Sequence, residues 1–166
     1  MKTERGFLLR GTSLGLLVAL AGAAPAAAAE DGPFAAFVGD WQGSGEIVGT
    51  NGSHEHLRCK ATYSQSEVAH GLSQSIVCAS PSYRVNVQSY VEASGANVRG
   101  TWREDTRNAS GQLTGTLQGG NFEGSVEGPG FTAQISLQSD GRKQSVRIMP
   151  KGSDITDVEV ELQRQG

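Results

Sequence analysis

Apolar and polar positions alternate along most of the chain from residue 39 onward, and Gly-rich turns interrupt the alternation about every ten residues. Alternation with a period of two predicts half-buried β-strands, and short strands at regular spacing are typical of an all-β barrel or sandwich. We therefore predict an all-β fold: an antiparallel up-and-down meander of about ten strands, closed into a round or flattened barrel. The predicted strands cover residues 39–49, 55–66, 71–80, 83–92, 96–104, 111–118, 121–127, 130–138, 143–149 and 155–164.

Two cysteines, Cys59 and Cys78, fall in the second and third predicted strands. If they face each other in an antiparallel pair, Tyr63 lies opposite Gln74 and the apolar residues of both strands share one face. Directly opposed residues are within reach of a disulfide. We therefore predict one structural disulfide, Cys59–Cys78, which also fixes the register of this hairpin.

The next hairpins can be aligned in the same way. The alignment rests on four pairs: Val91–Val98, Val98–Leu117, Leu117–Phe122 and Val126–Phe131. It predicts a row of small residues across the inner face of five strands: Ser89, Gly100, Gly115, Gly124 and Ala133. A glycine inside a strand weakens it unless the chain bends sharply or something approaches the backbone closely. The row is thus a bend in the barrel, the floor of a pocket, or both, and we assign Gly100, Gly115 and Gly124 a structural role.

The first 29 residues have the pattern of a secretory signal peptide. Basic residues up to Arg10 precede a short apolar run, and small residues end at Ala27-Ala28-Ala29. The alternative, a membrane anchor, is disfavoured because the dense apolar run is too short to span about 30 Å of hydrocarbon. We expect cleavage before Glu30, a periplasmic or secreted protein, and no transmembrane span in the mature chain. Residues 30–38 then precede a barrel domain of residues 39–166.

The mature chain is acidic, with eleven Lys and Arg residues against sixteen Asp and Glu residues. It has no basic stripe to replace the counter-ions of phosphates, so we expect no nucleic-acid partner. We expect a monomer whose partner is a small apolar molecule or an envelope protein.

The first predicted strand reads Gly39-Asp40-Trp41-Gln42-Gly43-Ser44-Gly45. A Gly-x-Trp opening after a short apolar segment resembles the calycin superfamily, which includes lipocalins, fatty-acid-binding proteins and nitrobindins. The longer Gly-x-Trp-x-Gly-x-Gly form is most similar to the nitrobindins. The resemblance implies that residues 30–38 plug one end of the barrel and that Arg164, in the last strand, packs over Trp41. An Arg over an indole contributes about 0.5–2 kcal/mol.

The nitrobindin resemblance also implies a haem-ligating His late in the chain. The histidines here are His54, His56 and His70, all in the first half. We therefore expect no haem and no other cofactor. His54 and His56 share one face of a strand, but His70 lies at the far end of the same hairpin, so we expect no metal site.

Catalytic groups are also not evident. Nucleophilic catalysis needs a Ser or Cys beside a base and an orienting acid. Both cysteines are assigned to the disulfide, and the acidic pair Glu104-Asp105 is assigned to a turn or outward position. We predict no catalytic residue and a non-catalytic protein.

A second resemblance gives an alternative function. The chain is similar in outline to periplasmic metalloprotease inhibitors, which are small disulfide-bearing β-barrels that open with a Gly-x-Trp strand. These act through a free N-terminal segment, for which Glu30-Asp31-Gly32-Pro33 is the candidate here. The alternative is therefore a protein–protein interaction module of the cell envelope.

The leading hypothesis is an exported, non-catalytic protein that holds a small apolar or amphipathic molecule inside the barrel. Eight inward-facing residues form the candidate pocket: Tyr63, Gln74, Tyr83, Ser89, Trp102, Phe122, Phe131 and Gln144. Ligand pockets are mostly apolar with a few placed polar groups, as this set is. A filled core has the same composition, so both interpretations stay open from the sequence.

Overall fold

The structure, a computed structural model, describes residues 32–68 and 70–166. In this part of the chain ten strands follow one another: β1 (Gly39–Gly49), β2 (His54–Gln65), β3 (Gly71–Ala79), β4 (Arg84–Ser94), β5 (Asn97–Glu104), β6 (Ala109–Gln118), β7 (Asn121–Gly128), β8 (Phe131–Ser139), β9 (Lys143–Lys151) and β10 (Ile155–Arg164). The ends of the strands differ from the predicted ones by at most two residues. The predicted signal peptide, residues 1–29, lies outside the described residues.

Each strand pairs antiparallel with its neighbours in sequence, and β1 also pairs with β10, which closes the sheet. The predicted fold class, an all-β antiparallel up-and-down barrel, is confirmed. Closure pairs the backbone groups of the first and last strands and so removes the exposed edges of the sheet. We call the end of the barrel where β1 begins the closed end, because residues 34–38 cover it, and the other end the open end.

The β2–β3 hairpin has the register that the two cysteines predict. Cys59 lies opposite Cys78, and Tyr63 lies opposite Gln74. The disulfide between Cys59 and Cys78 is present. The β6–β7 register is also confirmed, with Leu117 opposite Phe122.

Three other predicted registers are wrong, each by two residues. Val91 pairs with Gly100 rather than Val98. Val98 pairs with Gly115 rather than Leu117. Val126 pairs with Ala133 rather than Phe131. A shift of two residues keeps every side chain on its predicted face, but it breaks up the predicted row of small residues, of which only Gly115 and Gly124 are paired.

The turns explain two of these shifts. Gly128 pairs with Phe131, so Pro129 and Gly130 are the two central turn residues. Pro fixes φ near −65° at the first central position, and Gly130, with φ of +80°, supplies the positive φ that a type II turn needs at the second. Likewise, Gly95 (φ +62°) is the first rather than the second central residue of the β4–β5 turn.

The core lies inside the barrel and is densest toward the closed end. Its most buried aromatic side chains are Phe34, Phe37, Trp41 and Tyr63, which surround the start of β1 and the end of β2. Within residues 32–68 and 70–166, no helix is long and apolar enough to cross a membrane.

Candidate functional site

The closed end is sealed by residues 34–38. Phe34 and Phe37 are buried and stack edge to face, with ring centroids 6.4 Å apart. The indole Nε1 of Trp41 donates a 2.7 Å hydrogen bond to the carbonyl oxygen of Phe37. The hydroxyl of Ser139 donates to the carbonyl of Ala36 from the far side of the barrel. These bonds satisfy backbone groups that would otherwise be buried without partners, so the segment is held in the barrel mouth.

Arg164 completes the closed end. Its guanidinium carbon lies 5.3 Å from the centroid of the Trp41 indole, and its Nη2 donates to the carbonyl of Val38. Trp41 and Arg164 are also register partners on β1 and β10. The pair therefore joins the first strand, the last strand and the covering segment.

The inward-facing glycines are mainly places where neighbouring strands approach closely. A Cβ on Gly100 would overlap the carbonyl oxygen of Tyr90, and one on Gly111 would overlap that of Glu127. Gly115 and Gly124 lie under the ring of Phe122, which a Cβ on either would overlap. These positions therefore allow neighbouring strands to approach closely and accommodate an aromatic ring, and the predicted continuous row of small residues is not formed.

The register instead forms a different row across the inner face. Tyr63 pairs with Gln74, Gln74 with Ser89, and Ser89 with Trp102, on strands β2 to β5. The Ser89 hydroxyl donates a 3.1 Å hydrogen bond to Oε1 of Gln74. Tyr63 is near the closed end of β2 whereas Trp102 is near the open end of β5. Four of the eight predicted pocket residues thus form one line across the inner face, from the closed end toward the open end. We call this line the polar row: Tyr63, Gln74, Ser89 and Trp102.

The remaining wall is apolar and only partly buried. Ala133, Val160 and Leu162 are buried there, whereas seven inward-facing apolar side chains are half-buried: Phe122, Val126, Ile135, Leu137, Val146, Ile148 and Val158. These seven side chains are less buried than those at the closed end, such as Trp41 and Tyr63.

Two side chains at the closed end carry polar atoms without partners. Tyr63 is 3% exposed and Gln144 is 1% exposed. The hydroxyl of Tyr63 and both amide atoms of Gln144 make no hydrogen bond with the described residues. Burial raises the pKa of the Tyr63 phenol, so the group is neutral. Unpaired buried polar groups cost free energy, and exceptions in native proteins call for a partner such as a water or ligand.

The open end is held by two carboxylates. Glu104 is 5% exposed and accepts hydrogen bonds from the backbone amides of Asn86, Thr106 and Arg107. Burial disfavours its charge, but these bonds outweigh it and lower the pKa of Glu104 to about 2. Glu55 accepts bonds from the hydroxyl of Ser80 and the amide of Ser82, which lower its pKa.

The position of Glu104 corrects the sequence interpretation, which assigned this residue to a turn or outward position. It points inward because it shares the alternation of Val98 and Trp102. That parity was visible in the sequence. The carboxylate tolerates burial because the β5–β6 turn surrounds it with donors.

The aromatic residues of the pocket set lie in different places. Trp102 and Phe131 pack near the open end, with ring centroids 5.6 Å apart, and Nε1 of Trp102 donates to the carbonyl of Glu127. Tyr83 is half-buried in the turn before β4. The eight predicted residues thus lie partly at the closed end, partly in the polar row and partly near the open end, and they do not form one compact cluster.

Two concavities of several hundred Å³ are lined by none of the half-buried apolar residues of β7 to β10. One, of about 470 Å³, is open and spans β4 to β6, where Ser89 and Trp102 meet outward-facing residues such as Gln88 and Arg103. The other, of about 390 Å³, lies at the closed end and is lined by Asp140, Arg142, Lys143, Gln163 and Arg164.

The histidines and the N-terminal segment are placed as follows. His54 is exposed and pairs with Glu46, with 3.0 Å between Nδ1 and Oε1. Among the described residues, no three His, Cys, Asp or Glu side chains are grouped to hold a metal ion. Gly32 and Pro33 are exposed but Phe34 is buried, so any free N-terminal arm ends before Phe34.

The fold is similar to that of two solved structures. The crystal structure of Rv2717c from M. tuberculosis is 14% identical in sequence, with a TM-score of 0.65 over 79% of this chain and 94% of that chain. The S-type phycobiliprotein lyase CPES from Guillardia theta is 12% identical, with a TM-score of 0.59 over 80% of this chain and 90% of that chain. No protein-family model matches the sequence, and no curated protein does. At such low identity the likeness shows the fold alone.

Proposed function

We propose that this chain is an exported, non-catalytic binding protein that holds a small apolar or amphipathic molecule inside a calycin-like barrel. The observation that carries the proposal is the group of half-buried apolar side chains on the inner face of β7 to β10, in a barrel covered at one end. Exposed apolar surface is costly in water, and a ligand that covers it recovers that free energy, about 25 cal/mol per Å².

The composition of the interior supports the same proposal. The apolar side chains of β7 to β10 share the interior with a few polar groups. Gln74 and Ser89 lie at mid-depth, and Tyr63 and Gln144 lie at the closed end. Binding sites for small molecules have this composition, since the polar groups orient a ligand whose affinity comes from apolar contact. The ligand enters from the open end, because residues 34–38 close the other.

Export is supported by the disulfide Cys59–Cys78, because such bonds persist in oxidising compartments. Together with the N-terminal pattern of residues 1–29, it favours a periplasmic or secreted location. N-terminal sequencing of the mature protein tests this, and a start at Glu30 is expected. A mature chain that retains Met1 would contradict it.

Native mass spectrometry of the protein purified from its own cells tests the binding proposal. We expect a stoichiometric non-covalent adduct that disappears under denaturing conditions. A clean apo mass that does not shift after exposure to a lipid extract of the same cells would contradict the proposal.

A further inference from the structure

The two unpaired side chains at the closed end point to the chemistry of the ligand. We propose that the molecule held in the barrel is uncharged and has a hydrogen-bonding end group, such as a hydroxyl or carbonyl, that lies at the closed end against Tyr63 and Gln144. This inference rests on the proposed function and adds to it a ligand class and an orientation.

Tyr63 and Gln144 both adjoin the segment that closes the barrel. The Tyr63 ring lies 6.5 Å from that of Phe37, measured between centroids. Gln144 is the register partner of Ser139, which bonds to Ala36. Both side chains therefore lie at the closed end, which a molecule that enters from the open end reaches last.

The unpaired atoms can both donate and accept. A phenol has one donor and two acceptor sites, and a primary amide has two donors and a carbonyl acceptor. A ligand hydroxyl or carbonyl satisfies such groups, whereas a hydrocarbon end leaves them unpaired at a cost of about 1–3 kcal/mol each.

The charges of the barrel exclude an ionised ligand. Every Lys and Arg among the described residues is exposed. The Arg164 side chain covers Trp41 at the closed end and is held there by its hydrogen bond to Val38. An ionised carboxylate in the interior would therefore be buried without a counter-charge, which is strongly unfavourable. Glu104, near the open end, adds a negative charge to the entrance.

The polar row provides a second contact for the same ligand. The Oε1 of Gln74 accepts the hydrogen bond from Ser89, so the amide group of Gln74 is left as a donor at mid-depth. An uncharged molecule with a polar edge as well as a polar end fits this wall, while its apolar side lies against β7 to β10.

Binding of three ten-carbon probes, 1-decanol, decanoate and decane, separates these possibilities. At about pH 8 decanoate is ionised, because carboxylic acids have pKa values of about 4 to 5. We expect decanol to bind at least about tenfold more tightly than decanoate and about fivefold more tightly than decane, as one net hydrogen bond implies. The intrinsic tryptophan fluorescence and native mass spectra follow the binding.

Two near-isosteric variants test the contact itself. Tyr63→Phe and Gln144→Leu each remove unpaired polar atoms, and we expect each to weaken decanol binding about fivefold while decane binding is unchanged or stronger. Tyr90→Phe, which removes a hydroxyl that bonds to Glu92 on the outside of the barrel, is the matched control and is expected to bind decanol as the unaltered protein does.

The outcomes distinguish this inference from the function on which it rests. Decanoate binding as tightly as decanol, or variants that bind decanol normally, would overturn the inference and leave a general apolar-binding protein. In the second case internal water satisfies Tyr63 and Gln144. Failure of all three probes to bind the unaltered protein would overturn the proposed function as well.

Discussion

Arg164 covers Trp41, with 5.3 Å between the guanidinium carbon and the indole centroid. The two residues belong to the last and the first strand, and Arg164 also bonds to Val38 in the covering segment. The Arg164 side chain thus links the β1–β10 pair, which closes the sheet, to the segment that covers the closed end.

Replacing this side chain should destabilise the closed end. We expect Arg164→Ala to lower the free energy of unfolding by about 1–2 kcal/mol, through loss of the cation–π contact and the bond to Val38. Urea denaturation measures the change. Arg142→Ala, an exposed neighbour, is the control and should change stability by less than about 0.5 kcal/mol. Equal effects of the two variants would show that the cover contributes nothing.

The disulfide should stabilise the barrel without determining its fold. Cys59 and Cys78 are 19 residues apart, and in the chain-entropy model closing such a loop contributes roughly 3 kcal/mol. The double variant Cys59→Ser/Cys78→Ser should therefore unfold at lower urea concentration, with an unchanged far-ultraviolet circular dichroism spectrum. Loss of the β-sheet spectrum in the variant, or no change in its midpoint, would contradict this account.

Gly111 should not tolerate a side chain. A Cβ there would overlap the carbonyl oxygen of Glu127 and lie 2.9 Å from Nε1 of Trp102. We expect Gly111→Ala to destabilise the protein by about 1–3 kcal/mol, because the neighbouring strand must move away. Gly32→Ala is the control, since its Cβ would come no closer than 3.4 Å to the Gln65 side chain. A Gly111→Ala protein as stable as the control would mean that β6 and β7 are not so closely packed.

The sequence was informative for some strand registers and not for others. The Cys59–Cys78 pair fixed the β2–β3 register, because a disulfide allows only one alignment of the two strands. The predicted register of β7–β8 was wrong because the prediction centred the turn on Gly128 and Pro129. Pro favours the first central position of a turn, and the observed turn is accordingly centred on Pro129 and Gly130.

The candidate site was predictable only in part. Alternation gave the inward face, and hence Gln74, Ser89 and Trp102, because a two-residue slip preserves parity. The polar row itself depends on the exact pairing of four strands. The burial of Glu104 depends on the donors that the β5–β6 turn brings around it, which periodicity does not reveal.

Glu104 should make stability depend on pH. Its folded-state pKa of about 2 is below its ordinary value of 4.5, so its stabilising effect is present above about pH 5 and is lost as the pH falls toward 2. We expect Glu104→Gln to lower the free energy of unfolding by roughly 2 kcal/mol at neutral pH, and by progressively less between about pH 5 and pH 2. The control is Glu127→Gln, which alters an exposed carboxylate. A difference between Glu104→Gln and the unaltered protein that stays constant over this pH range would show that the carboxylate charge has no such role.

The accessible interior of the barrel is the central claim, and binding of the uncharged apolar dye Nile red tests it most directly. Val146 points into the barrel and is half-buried, whereas its neighbour Ser145 is exposed on the outside. The account predicts saturable one-to-one binding with blue-shifted dye fluorescence in the unaltered protein and in Ser145→Trp, and loss of binding in Val146→Trp, whose indole fills the space. Absence of saturable binding to the unaltered protein, or equal binding by the two variants, would contradict it.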